Sequence, residues 1–90
     1  MDGQTSKFLQ IINKATNPKY DDAKFKDTGI SFGDILGKYS ADTGEKHHDL
    51  DERSSSLRIL ISSGLIEESA NFSGRYKLTK KGMDYVNPQI

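Results

Sequence analysis

The sequence contains no cysteine, no tryptophan and only two prolines in 90 residues. Without cysteine there are no disulfides, no thiolate nucleophile and no cysteine-based zinc site, a composition that fits a reducing compartment. Net charge is absent as well, since 13 Lys and Arg balance 13 Asp and Glu. No global field draws the molecule toward a polyanion or a membrane, so any nucleic-acid contact has to be local. The longest apolar runs, such as "LRILI", fall far short of the roughly 18 residues of a membrane span. The start, "MDGQTSKFLQII", lacks the basic, apolar and small-residue succession of a secretory signal, so the expectation is a mature cytoplasmic chain without a membrane partner. The length suits one domain, with one site or one surface carrying the function.

Phe8, Ile11, Ile12 and Ala15 lie at i, i+3, i+4 and i+7, which predicts helix one over about 5–15, capped by Thr5 or Ser6. Asn17-Pro18 ends it, and residues 16–30 read as irregular, a loop or one helical turn with Tyr20 and Phe25 as its large apolar members. Ser31 as N-cap, Asp34 three residues on and an Ile30–Ile35 staple predict helix two over about 32–39. "SADTGEKHHD" then reads as a polar connection with a turn at Asp42 to Gly44.

Asp49, with Glu52 three residues later, predicts the cap of helix three over about 50–63, with Leu50, Leu57, Leu60 and Ile61 inward and Gly64 as stop. Ile59 falls opposite Leu57, to be covered by the segment around Tyr20 to Phe25 or by a partner. Leu65–Ser69 and Arg75–Leu78 alternate as two antiparallel strands around a turn containing Gly74. Thr79 predicts the cap of a last helix over about 80–86, with Met83 and Val86 inward and Asn87-Pro88 as its stop.

"LRILISSGLIEES", the hairpin and "GRYKLTKKGMDYV" together resemble the helix-three, wing and closing-helix segment of small bacterial and archaeal winged helix-turn-helix regulators, over about Ile30 to Val86. The resemblance implies an α+β, mostly α fold in a single domain: three helices, a two-stranded β-hairpin wing over 65–78 and a short C-terminal helix. It implies a sequence-specific binder of double-stranded DNA, a transcriptional regulator, with helix three in the major groove and the wing on the backbone. On helix three it singles out Arg53, Ser54, Ser55 and Arg58, and on the wing Arg75 and Lys77. Lys80 and Lys81 stand in the first turn of the last helix, where the dipole disfavours cations unless a phosphate lies nearby. Each of these also has a plain reading as solvated surface. A homodimer is expected through helix one and the C-terminal segment.

Other features argue for a protein-interaction module instead. Asp49, Asp51 and Glu52 crowd the start of helix three, and residues 31–64 hold four Lys or Arg against six acids, a formal charge of minus two. The connection before helix three also exceeds the three or four residues of a tight helix-turn-helix. His47-His48 lacks a second pair at i, i+4 spacing, so no metal or other cofactor is expected. No nucleophile, base and orienter set is apparent, and the expectation is that the chain is not an enzyme.

Overall fold

In the computed structural model, which describes residues 1–46 and 49–86, seven elements follow one another. They are α1 (Gly3–Thr16), β1 (Ile30–Ser31), α2 (Phe32–Thr43), α3 (Leu50–Ser62), β2 (Ile66–Glu68), β3 (Arg75–Leu78) and α4 (Lys80–Val86). His47-His48 and the Asn87-Pro88 stop lie outside the described residues.

Asp2, and not Thr5 or Ser6, caps α1: its Oδ1 accepts the Thr5 backbone N–H at 2.7 Å. Thr5 is fully buried inside the helix, and its Oγ1 donates to Ser56 Oγ at 3.0 Å. The hydrogen bonds from Thr5, its backbone N–H foremost, hold the Asp2 carboxyl below its ordinary value. A depressed folded-state pKa adds stability that is present above the ordinary Asp value of about 4 and lost as pH falls through the folded value. The stability difference between the wild type and Asp2→Asn is therefore expected to be largest near neutrality and to vanish in acid. Urea denaturation of both proteins between pH 2 and 7 measures it.

Residues 17–29 are not a slack loop. Successive turns bond Tyr20 N to Asn17 O, Ala23 N to Tyr20 O and Gly29 N to Phe25 O, while Phe25 N donates to Ala15 O of α1 at 2.9 Å. Gly29 has φ +81° and lies against the Tyr76 backbone, where a Cβ would come within 3.0 Å of its nitrogen. That close approach lets β1 form. The sheet order is β1-β3-β2, both pairings antiparallel, with Ile30 opposite Tyr76 and Ile66 opposite Leu78. The expected two-stranded hairpin is thus a three-stranded sheet with β3 at its centre. Two residues are too few to show an alternation in the sequence, and β1 exists because β3 offers it a partner.

Ser31 caps α2 as its position suggests, its Oγ accepting the Asp34 N–H at 3.2 Å. The helix runs four residues beyond the expected stop at 39, because Gly44 takes the left-handed conformation, φ +77°, and closes it onto the Ser40 carbonyl. Asp49 caps α3 through the Asp51 and Glu52 N–H groups, and Gly64, φ +78°, follows its end. The buried side of α3 is made by Arg53, Ser56, Leu57 and Leu60. Leu50 and Ile61, expected inward, sit about a quarter turn off that stripe at 100° per residue. They are 59% and 41% exposed.

The core joins Phe8, Ile12, Ile30, Ile35, Leu60 and Ile66, all nearly or fully buried, with Leu78 and Leu65 beside them. Phe8 meets Tyr39 edge to face, ring centroids 5.3 Å apart. α1 is the hub on which α2, α3 and β3 pack. Its apolar face is consumed there, so helix one does not supply the outward surface expected for dimerisation. Thr79 Oγ1 accepts the Gly82 N–H at 2.9 Å at the start of α4, and Met83 and Val86 are partly buried against the core. No helix among the described residues is long and apolar enough to cross a membrane.

Candidate nucleic-acid interface

Around the helical wheel, the side of α3 directly opposite its buried stripe is a ridge of Asp51, Ser55, Arg58 and Ser62, at i, i+4, i+7 and i+11. All four are exposed. The Asp51 and Arg58 side chains make no hydrogen bond or ion pair with any described residue. Ser55 Oγ turns back to the Asp51 carbonyl at 3.0 Å, a bond that keeps its profile low. Ser54, half-buried, flanks the ridge. Ile59, 47% exposed, lies on one flank and Leu50 and Ile61 on the other. The Tyr20 to Phe25 segment, expected to cover Ile59, is instead bonded to α1.

Arg53 does not belong to this surface. It is 6% exposed, and its guanidinium donates through Nη1 to Gln4 Oε1 and through Nη2 to Glu45 Oε2. The same group sits 4.7 Å from the centre of the Tyr39 ring. Gln4 Nε2 continues the network to Ser56 Oγ at 2.6 Å and to the Glu52 carbonyl at 3.0 Å. Three helices and the α2–α3 connection therefore meet on one buried cation. Arg53 lies on the inner side of α3, where its charge is satisfied by the protein and faces no solvent-borne partner. In exchange it pins Glu45, the residue that follows the Gly44 cap of α2, to the inner side of α3.

On the sheet, Arg75 and Lys77 point away from Tyr76 and Leu78 by the two-residue period, as the sequence pattern indicates. Both are half-buried. Arg75 Nη1 donates to the Gly29 carbonyl at 3.3 Å, and Lys77 stands directly across from Glu67. The β1 side of β3, which the two-stranded expectation did not include, is what holds Arg75. At the turn, the Glu68 carboxylate accepts the Gly74 N–H at 2.8 Å, and Phe72 is left 43% exposed at the tip.

Lys80 is exposed on the first turn of α4. The Lys81 side chain lies over Gly64, its Cδ 3.5 Å from where a Cβ there would be. Its cation is thus carried toward the C-terminal end of α3, where the dipole favours it, and the unfavourable placement at the α4 start is relieved within the chain. Among the eight residues singled out, those exposed and without a recorded tie to another element are Ser55, Arg58 and Lys80. The i, i+7 spacing already puts Asp51 and Arg58 on one face of α3; that this face points outward was not legible until the buried side of the helix was known.

Among the described residues, no group of three or more His, Asp or Glu is arranged to hold a metal ion. Comparison with protein-family models, with curated proteins and with solved structures finds no match.

Proposed function

We propose that this chain is a winged helix-turn-helix module that binds double-stranded DNA as a transcriptional regulator, with α3 in the major groove and the β2–β3 hairpin as the wing. The observation that carries this reading is the outward ridge of α3. Arg58 projects from its middle with no partner among the described residues, and the small residues Ser55 and Ser62 on either side let the helix approach base edges closely. Arginine bonds two acceptors of guanine, and a carboxylate accepts from the cytosine amino group. Asp51 on the same ridge thus becomes a reader where it would otherwise only repel phosphate. Seven residues at 1.5 Å each separate the two by about 10 Å along the helix. At about 3.4 Å per base that is about three steps.

The test is fluorescence anisotropy of the purified protein on mixed-sequence duplex across a salt series, followed by selection from a randomised duplex library. A negative slope of log affinity on log salt, about 0.9 per phosphate contact, is the expected result. Arg58→Ala is expected to relax preference at one base pair, at a cost of about 1–3 kcal/mol there, whereas removal of the exposed cation in Lys80→Ala weakens all sequences alike. No binding at low salt would overturn the reading.

A second reading, a protein-interaction module that does not bind DNA, is favoured by one specific observation. Leu50, Ile59 and Ile61 stay exposed on α3 beside the anionic start formed by Asp49, Asp51 and Glu52. Copurification of a partner whose release requires Ile59→Ser, together with absent DNA binding, is its expected signature. In either reading the chain acts by binding and carries out no catalysis.

A further inference from the structure

The 17–29 connection is long for a small domain, yet it is fixed by chained turns and tied to α1 through Phe25. Ordered connections of that length without regular structure tend to be functional. What this one builds is a wall. Between it, α1 and α2 lies a cleft of about 310 Å³ whose apolar lining is Ile11, Ala15 and Phe25. Three elements each contribute a lysine to the rim: Lys14 from α1, Lys24 from the segment and Lys38 from α2. All three are exposed, and their side chains make no hydrogen bond or ion pair with any described residue. Two carboxylates share the rim, but Asp42 is drawn toward Lys7, 3.9 Å away, leaving Asp22 as the other counter-charge. Shallower depressions continue the cleft on both sides, one along Lys7 and Lys14, the other along Lys24 and Lys38.

We propose that this cleft binds a small organic anion with a flat apolar body, seated on Ile11, Ala15 and Phe25 with its negative group among Lys14, Lys24 and Lys38. Each exposed ammonium alone gains little from an anion in water, because solvent and salt screen the pair. Three of them converging on one rim raise the local potential, and the apolar floor adds the burial that a simple inorganic ion cannot use. The volume sits at the lower end of what small-molecule sites occupy, which sets the ligand at about one or two fused rings. None of the lining residues belongs to α3 or the hairpin, so the site stands or falls independently of the DNA reading.

The experiment is an NMR titration of the ¹⁵N-labelled full chain with three probes: 2-naphthoate, the uncharged 2-naphthalenemethanol and inorganic phosphate. The expected result is saturable amide shifts from 2-naphthoate centred on Lys14, Ala15, Lys24, Phe25 and Lys38, with a Kd tighter than about 1 mM. The doubly substituted protein, Lys24→Glu with Lys38→Glu, is expected to bind 2-naphthoate at least tenfold more weakly while its spectrum stays dispersed. Equal affinity for the alcohol would overturn the role of the lysines, and equal affinity for phosphate the role of the apolar floor. Shifts that do not saturate, or that centre on α3, would overturn the site itself.

Discussion

Gly82→Ala is expected to cost about 3 kcal/mol or more, a large share of the 5–15 kcal/mol that holds a domain of this size together. A Cβ at residue 82 would lie 2.0 Å from the Leu65 carbonyl oxygen and 3.0 Å from the Leu65 carbonyl carbon and from Leu78 Cδ2. The first two of these are backbone atoms that cannot swing aside, so α4 has to lift from the start of the hairpin or Leu65 has to move. Leu65 is itself held: its N–H donates to Leu60 O, and its carbonyl accepts the Thr79 N–H at 3.1 Å. The melting temperature should fall by about 12–24 °C on the usual scaling for domains of 60–100 residues. Gly37→Ala is the control. Gly37 is an exposed residue inside α2, with nothing within 4 Å of a Cβ and an ordinary helical φ, so alanine there should stabilise by about 1 kcal/mol. Opposite signs from the same chemical change, read by thermal denaturation, would tie the effect to the Gly82–Leu65 approach. A neutral Gly82→Ala would show that α4 does not pack this closely.

Arg53→Ala should destabilise by about 3 kcal/mol, since hydrogen bonds made by a charged group contribute about 1.5–3 kcal/mol each and a desolvated cation–π contact up to about 2, while the Glu45 left behind is half exposed and stays hydrated. The loss has three parts: the packing of the side-chain stem, the bonds to Gln4 and Glu45, and the stacking on Tyr39. Gln4 retains Ser56 and the Glu52 carbonyl, so α1 keeps part of its attachment to α3. Arg53→Lys should recover less than half of the loss, because a single ammonium cannot reach two acceptors in different directions while lying over a ring. Urea unfolding of the three proteins decides this. If lysine restores full stability, the guanidinium geometry is not what holds Glu45. Because Arg53 faces inward, its removal should act on the proposed DNA binding only through folding, in contrast to Arg58, whose removal leaves stability within about 0.5 kcal/mol.

The helix starts and stops were the most readable part of the fold. Ser31, Asp49, Gly64 and Thr79 all act where the sequence places them, because a cap is a local bargain between a side chain and backbone groups two or three residues away. Two local signals were still misplaced, the α1 cap, which is Asp2, and the α2 stop, which is Gly44, and the rest of what escaped was non-local. β1 is two residues long and has meaning only against Tyr76 and Arg75, 46 and 44 positions further on. Arg53 reads as surface because arginine on a helix usually is, and its partners Gln4 and Glu45 lie 49 and 8 residues away. Leu50 and Ile61 read as core from their hydrophobicity, but Arg53 and Ser56 had taken the inward positions. That exchange rewrote the candidate site too, removing one arginine from it and bringing Asp51 into line with Arg58. Gly82 could not be distinguished from any other helical glycine until Leu65 was beside it.

The central position of β3 also governs when this chain is able to fold. α1 is made first, but the surface it must cover is completed by the strand at 75–78, and Thr16 Oγ1 accepts the Leu78 N–H across 62 residues of sequence. β1 likewise has no partner until β3 arrives. At a synthesis rate of about 5–20 residues per second, Phe8 and Ile12 spend several seconds without their final cover. A nascent chain halted before Arg75 should therefore expose that apolar stripe to chaperones and proteases, and one that has released Leu78 should not. The short sheet is in this sense a clasp, closed late, and acquisition of structure is expected to be a single concerted event once Leu78 has emerged.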